Sequence, residues 1–243
     1  MKTLAIDTSG KAVSVAIAVD GVLYSHIWLR HGRTHAEALM PCVDAALSGL
    51  ELELRDVDVY AAVSGPGSFT GLRIGVAAVK ALAYANNAKT VGVSTLDALA
   101  MNLDGHSGAL ICPVMDARNG NVYQAIYGPG GGRDALCAGS GLTRLAEASL
   151  VSAAEAAERL NKAFAGNRDL KRLIFNGDGA AVYINYFQKE LAGICCSVAT
   201  EPQLYQNASS AAILACGAAA EGRLIPPEQL VPKYLNAGYA GTV

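Results

Sequence analysis

Two landmarks occur twice in this chain, in the same order and at nearly the same interval. An apolar run ends in an aspartate turn at LAIDTSG and again at PVMDARNG. An apolar run ends in a glycine turn, followed by a helical pattern, at AAVSGPG and again at LIFNGDG. Asp7 and Gly65 are 58 residues apart, and Asp116 and Gly177 are 61 apart. Self-similarity of this kind predicts two units of one plan, β-β-β-α-β-α, joined in tandem. Few α/β topologies accommodate that.

That plan is the α/β architecture of actin-like ATPases (ASKHA). There, two ribonuclease H-like halves, each a mixed sheet flanked by helices, turn their aspartate and glycine loops toward nucleotide phosphates. The sequence pattern places the first half at 1–105 and the second at 106–243, with the last helix and tail (207–243) packing back on the first half. In the first half TLAIDTS, AVSVAIAV and VLYSHIWL read as strands, with Asp20-Gly21 as a hairpin turn. A helix follows over 34–49, opened by a Thr34/Glu37 capping box. VDVYAAVS is a buried strand, residues 71–86 a helix and TVGV a short strand. In the second half ALICPVMDA, NVYQAIYG and RLIFN read as strands, and SAAEAAERL, AAVYINYFQKEL and NASSAAILACGAAAEG as helices. GPGGGRDALCAGSG reads as an exposed loop.

The stretch Ser64-Gly65-Pro66-Gly67-Ser68-Phe69-Thr70-Gly71 sits where phosphate loops sit, yet it fails the usual phosphate patterns. It lacks the G-x-x-x-x-G-K-[ST] of a P-loop, and Gly65, Gly67 and Gly71 are spaced G-x-G-x-x-x-G rather than G-x-G-x-x-G. Two readings remain open: a backbone nest for an anion at a helix N-terminus, or a tight turn between a buried strand and a packed helix. On the architecture, Asp7, Thr8, Ser9, Asp116 and Gly177 are the candidate nucleotide-binding residues. A turn-stabilising role for Asp7 competes with that.

The two helices of the first half carry more apolar surface than one packing face requires. Ala36, Leu39, Met40, Val43 and Leu47 form a face of the first. The second is apolar throughout Ile74, Ala77, Ala78, Ala81 and Leu82, with Arg73, Lys80 and Tyr84 as its polar side chains and with Gly75 leaving room for a close backbone approach. Surplus of this kind predicts a helical interface with another chain.

SGPGSFTGLRIG, with LAIDTS before it and VGVSTLDALA, DARNGNVYQAIY and VPKYL after it, resembles the TsaB (YeaZ) family over nearly the whole length. The resemblance implies an actin-like fold and a role in making threonylcarbamoyladenosine beside the tRNA anticodon. It implies homodimers, or heterodimers with the catalytic paralogue TsaD, formed through the two helices just described, with the ATPase TsaE completing the complex. Transfer RNA is then met indirectly through the complex, and ATP or ADP at the junction with TsaD. No cofactor is expected on this chain alone. The resemblance also implies what is missing. Thr95 and Leu99 fall where TsaD carries its two metal-binding histidines, and neither can replace imidazole. No catalytic residue and no metal site are expected. The family tail P-x-Y-L-R is here Pro232, Tyr234, Leu235 and then Asn236.

The competing reading is a stand-alone enzyme of the same superfamily, metallopeptidase-like or ATPase/kinase-like. It would need a metal set or a carboxylate base facing a complete phosphate cradle. His31 and His35 are spaced for a metal, but no third ligand lies nearby in sequence. Cysteines 42, 112, 137, 195, 196 and 216 show no C-x-x-C pair and read as small buried hydrophobes in a reducing compartment. A net charge of −2 argues against a protein that coats nucleic acid, and Arg168, Lys171 and Arg172 read as a solvated basic cluster. With no long apolar stretch, the expected location is cytoplasmic, away from the membrane.

Overall fold

The computed structural model describes residues 1–30, 34–106, 108–132, 135–167, 170 and 172–235. His31, Arg168, Lys171 and Asn236 lie outside the described residues. The chain divides into two compact units: Met1–Ala98 with Gln206–Lys233, and Leu99–Tyr205 with Tyr234 and Leu235. No helix among the described residues is long and apolar enough to cross a membrane.

The first unit is built on strands β1 (Lys2–Asp7), β2 (Val13–Val19), β3 (Val22–Leu29), β4 (Val59–Gly65) and β5 (Lys89–Ser94), in the spatial order β3-β2-β1-β4-β5. β1 pairs antiparallel with β2 and parallel with β4. The β2–β3 hairpin turns at Asp20 and Gly21, both at positive φ, as a type I′ turn requires. Helices α1 (His35–Ser48) and α2 (Phe69–Ala85) cover one sheet face. Their Leu39, Val43, Leu47, Val76 and Val79 pack with Leu4, Ile6, Val15, Ile17 and Tyr60. Alternation along β1 sends Thr3 to the opposite face, where Cys216 of helix α7 (Ala208–Ala220) reaches it, Sγ to Oγ1 3.3 Å. α7 buries Ala211, Ala212, Leu214 and Ala215, and its small side chains bring it close to the sheet.

The second unit repeats the plan. Strands β6 (Ala109–Arg118), β7 (Asn121–Pro129), β8 (Leu142–Ser152), β9 (Arg172–Asn176) and β10 (Cys195–Val198) lie in the order β8-β7-β6-β9-β10, position for position that of the first sheet. α4 (Ala153–Ala165) and α5 (Asp178–Glu190) pack on it, and Phe175 stacks on Phe187 with ring centroids 4.9 Å apart. Helix α3 (Thr95–Met101) crosses from one unit into the other in sequence, and α6 (Glu201–Leu204) is a single turn. Two mixed five-stranded sheets with flanking helices constitute the actin-like fold.

The expected Thr34/Glu37 capping box forms: Glu37 N–H donates to Thr34 Oγ1 at 3.4 Å while Thr34 N–H donates to Glu37 Oε2 at 3.0 Å. Ser152 caps α4, its Oγ accepting from Glu155 N–H at 3.1 Å. Two strands lie beyond the sequence expectations. β8 is an edge strand with most of its residues part-exposed, and its TRLAEASLV carries alanine and glutamate, weak strand formers. β10 is four residues of another edge. Its Cys195 is exposed, which corrects the reading of all six cysteines as buried; Cys42, Cys112, Cys137 and Cys216 are buried.

Candidate functional site

The aspartate turn of the first unit is closed. Asp7, Thr8 and Ser9 are each 1% exposed. Ser9 donates twice to Asp7 Oδ1, from its backbone N–H at 2.9 Å and from Oγ at 2.6 Å, while Asp7 Oδ2 is buried without a partner. The His35 ring donates from Nε2 to the Gly10 carbonyl at 2.9 Å. The Gln206 side chain lies on Gly10, where a Cβ would come within 2.6 Å of its Oε1. The Asp7 carboxylate is shielded from solvent in this arrangement.

Burial pushes the Asp7 carboxyl above the usual carboxylate range, against the two Ser9 hydrogen bonds and the nearby His35, which pull it down. The folded chain therefore holds that proton more tightly than the unfolded chain. Stability falls as pH rises through and above the ordinary aspartate range. Asp7→Asn removes the dependence. The melting temperature of the variant is expected to gain on that of the parent as pH rises above the ordinary aspartate range, measured by circular dichroism. Parallel curves would show that burial leaves the Asp7 carboxyl at its ordinary value.

The glycine turn is a packing device. Ser68 N–H donates to the Ser9 carbonyl at 2.8 Å and Lys233 N–H to the Ser64 carbonyl at 2.7 Å. A Cβ on Gly65, which has φ +132°, would overlap the Lys233 carbonyl oxygen, and one on Gly67 would stand 2.7 Å from that of Ser9. Ser64 and Pro66 are buried, whereas Ser68, Phe69 and Thr70 are exposed at the start of α2. The N-cap is Ser68, whose Oγ accepts from Gly71 N–H at 3.2 Å. Thr8 Oγ1 donates to the Gly71 carbonyl at 2.7 Å, and both Gly71 and Gly75 face Thr8. Gly75 is thus buried against its own sheet. That corrects its assignment as a point of approach for another chain.

The second unit holds a related but open turn. Asp116 is exposed; its Oδ1 accepts from Arg118 N–H at 2.8 Å and from Tyr183 Oη at 3.2 Å. A Cβ on Gly177, at φ +91°, would overlap the Val114 carbonyl oxygen. Of the five candidate nucleotide residues, the structure brings Asp7, Thr8 and Ser9 together under the glycine turn and Asp116 beside the Gly177 turn.

The interface residues expected on α1 and α2 divide into two sets. Leu39, Val43 and Leu47 are 2%, 0% and 4% exposed and belong to the core, as does Leu82 at 8%. Their stripe is the one that packs on the sheet, so they are removed from the outward set. Ala36, Met40, Arg73, Ala77 and Ala81 are exposed, and Ile74 and Ala78 are half-buried. Phe69 is 50% and Tyr84 59% exposed at the two ends of α2, and the Arg73 guanidinium stands 3.8 Å from the Phe69 ring centroid. Three residues are additions that only long-range contacts reveal. Glu228 accepts at Oε2 from Tyr84 Oη at 3.2 Å and offers its carbonyl to Lys80 Nζ at 3.3 Å, while Lys233 and Gln206 press on Gly65 and Gly10. Thr95 and Leu99 are fully buried, and no group of three metal-ligating side chains occurs among the described residues.

A profile of the family described as "TsaD: tRNA N6-adenosine threonylcarbamoyltransferase" matches residues 30–237. The "tRNA threonylcarbamoyladenosine biosynthesis protein TsaB" of Escherichia coli is 39% identical over 128 residues, 52% of this chain and 55% of that protein. The Bacillus subtilis protein of the same name is 35% identical over 127 residues, again 52% and 55%. The chain thus spans about half the length of the curated relatives it matches. The solved structure "YeaZ from Pseudomonas aeruginosa" superposes with a TM-score of 0.74 at 25% identity, over 96% of this chain and 99% of that one. Component A of the (R)-2-hydroxyglutaryl-CoA dehydratase of Acidaminococcus fermentans shares the fold alone, with a TM-score of 0.51 at 13% identity over 90% and 99%.

Proposed function

The chain belongs to the TsaD family of tRNA N6-adenosine threonylcarbamoyltransferases, in which it resembles the TsaB (YeaZ) proteins, and on that premise we propose that it is a non-catalytic, dimerising subunit. It binds and activates a TsaD-type catalytic subunit in the synthesis of threonylcarbamoyladenosine on tRNA, in the cytoplasm. The observation that carries this reading is the outer face of α1 and α2. Ala36 and Met40 are exposed on α1, and Ala77 and Ala81 on α2 between Phe69 and Tyr84. Exposed aromatic and aliphatic side chains around a floor of alanines suit close helix packing against a second chain. The same face serves a homodimer, so the homodimer and the heterodimer exclude each other.

The closed Asp7 turn supports the non-catalytic part of the reading. A phosphoryl-transfer site needs a carboxylate that substrate or metal can reach, and Asp7 is 1% exposed. Thr95 and Leu99, fully buried, offer no imidazole to a metal. Nucleotide is accordingly assigned to the junction with the catalytic partner, and the TsaE-type ATPase and tRNA to the assembled complex.

The test is reconstitution. The purified chain alone is expected neither to hydrolyse ATP at a useful rate nor to modify tRNA, and to bind a TsaD-type subunit with conversion of homodimer to heterodimer in sedimentation. Modification appears only in the assembled mixture. Turnover by the chain alone, lost on mutating one of its own residues, would overturn the proposal.

A further inference from the structure

We infer that Thr8 is a positioning residue for the face that α2 presents, seated in a socket made by Gly71 and Gly75. The inference rests on the partner-binding reading given above. Gly71 and Gly75 are one turn apart, so the missing side chains leave a groove along one side of the helix. Thr8 fills it from β1's end. A Cβ on Gly71 would overlap the Thr8 carbonyl oxygen, and one on Gly75 would overlap Thr8 Oγ1, with Ile6 Cγ2 at 3.6 Å behind it. Thr8 is 1% exposed, and its Oγ1 donates to the Gly71 carbonyl at 2.7 Å. Glycine is a poor helix former, so two glycines at this spacing need a tertiary reason, and Thr8 supplies it.

The atoms around the turn point the same way. Gly65, Gly67 and Gly71 face the carbonyl oxygens of Lys233, Ser9 and Thr8 in turn. Carbonyl oxygens are acceptors, the opposite of the N–H donors that make an anion nest. The glycines therefore admit this chain's own backbone rather than a phosphate.

Position matters because the socket and the outer face belong to one rigid element. At about 100° per residue, Arg73 and Ala77 point away from the side on which Gly71 and Gly75 lie. A methyl group inserted at the socket cannot be absorbed in a close-packed interior. It displaces α2, and Arg73, Ala77 and Ala81 move with it.

Gly75→Ala is expected to weaken binding to the TsaD-type subunit by about tenfold or more, and adding Thr8→Ala to restore it to within about threefold. Gly75→Ala with Thr8→Val, which returns a methyl to the place of Oγ1, stays weak. In the free chain the amide resonances of Arg73, Ala77 and Ala81 shift in Gly75→Ala and return in the restored pair. A merely structural role would lower the melting temperature of Gly75→Ala and leave the affinity of the folded fraction unchanged. Native affinity with unmoved resonances in Gly75→Ala overturns the inference, as does failure of Thr8→Ala to restore either. If Gly75→Ala does not fold, the two double variants still decide it, since only the Thr8→Ala one should fold and bind. Ala77→Arg is the separate control. Its binding like the parent would move the partner surface elsewhere, while the resonances would still decide the role of Thr8.

Discussion

Val43→Glu is expected to unfold the first unit rather than to separate a dimer. Val43 is fully buried in the apolar cluster that also holds Leu4, Ile17 and Tyr60. A carboxylate placed there has no cation within the cluster to pair with. It either ionises at a cost of several kcal/mol in lost hydration or takes up a proton and leaves a polar group unsatisfied. Against a total stability of about 5–15 kcal/mol, that removes most of the margin. Circular dichroism should show a loss of cooperative melting, or a melting temperature lower by 10 °C or more on the scale of about 2–4 °C per kcal/mol. A folded Val43→Glu chain that is merely monomeric would mean that this stripe of α1 faces outward.

Ala77→Arg and Ala81→Arg should do the opposite. Both positions are exposed on the free chain, where a surface substitution typically changes stability by about 0.5 kcal/mol or less. Arginine is also a good helix former. Melting should be unchanged. In a helix–helix interface, however, each arginine would hold the partner's backbone away and bury a charge without a counter-ion. A cost of about 3 kcal/mol corresponds to a loss of affinity of roughly a hundredfold. Sedimentation should show monomers, titration with a TsaD-type subunit should show no saturable binding at micromolar concentration, and tRNA modification in the reconstituted mixture should fail. Dimers and binding that survive in both variants would place the interface on another surface.

The contrast between these outcomes separates what the sequence determines from what the tertiary structure decides. Local signals are read directly. Asp20-Gly21 makes its hairpin, Thr34 and Glu37 close their capping box, and the spaced aspartate and glycine turns announce two sheets of one topology. Each depends on backbone conformation and hydrogen bonds within a few residues, or on a pattern repeated in order. The edge strands β8 and β10 escaped because a half-exposed strand has no strong apolar alternation to display. The orientation of α1 was not legible for a different reason. Leu39, Met40 and Val43 are all apolar, and only the packing of the helix on β2 and β3 buries Leu39 and Val43 while leaving Met40 40% exposed. The glycine turn is the same case at atomic scale. Sequence alone allows an anion nest or a tight turn at Gly65–Gly71. The choice is made by Thr8, Ser9 and Lys233, whose carbonyl oxygens are brought onto those glycines from far along the chain. Sequence spacing records which residues can turn or cover a face; which atoms meet there is set by long-range packing.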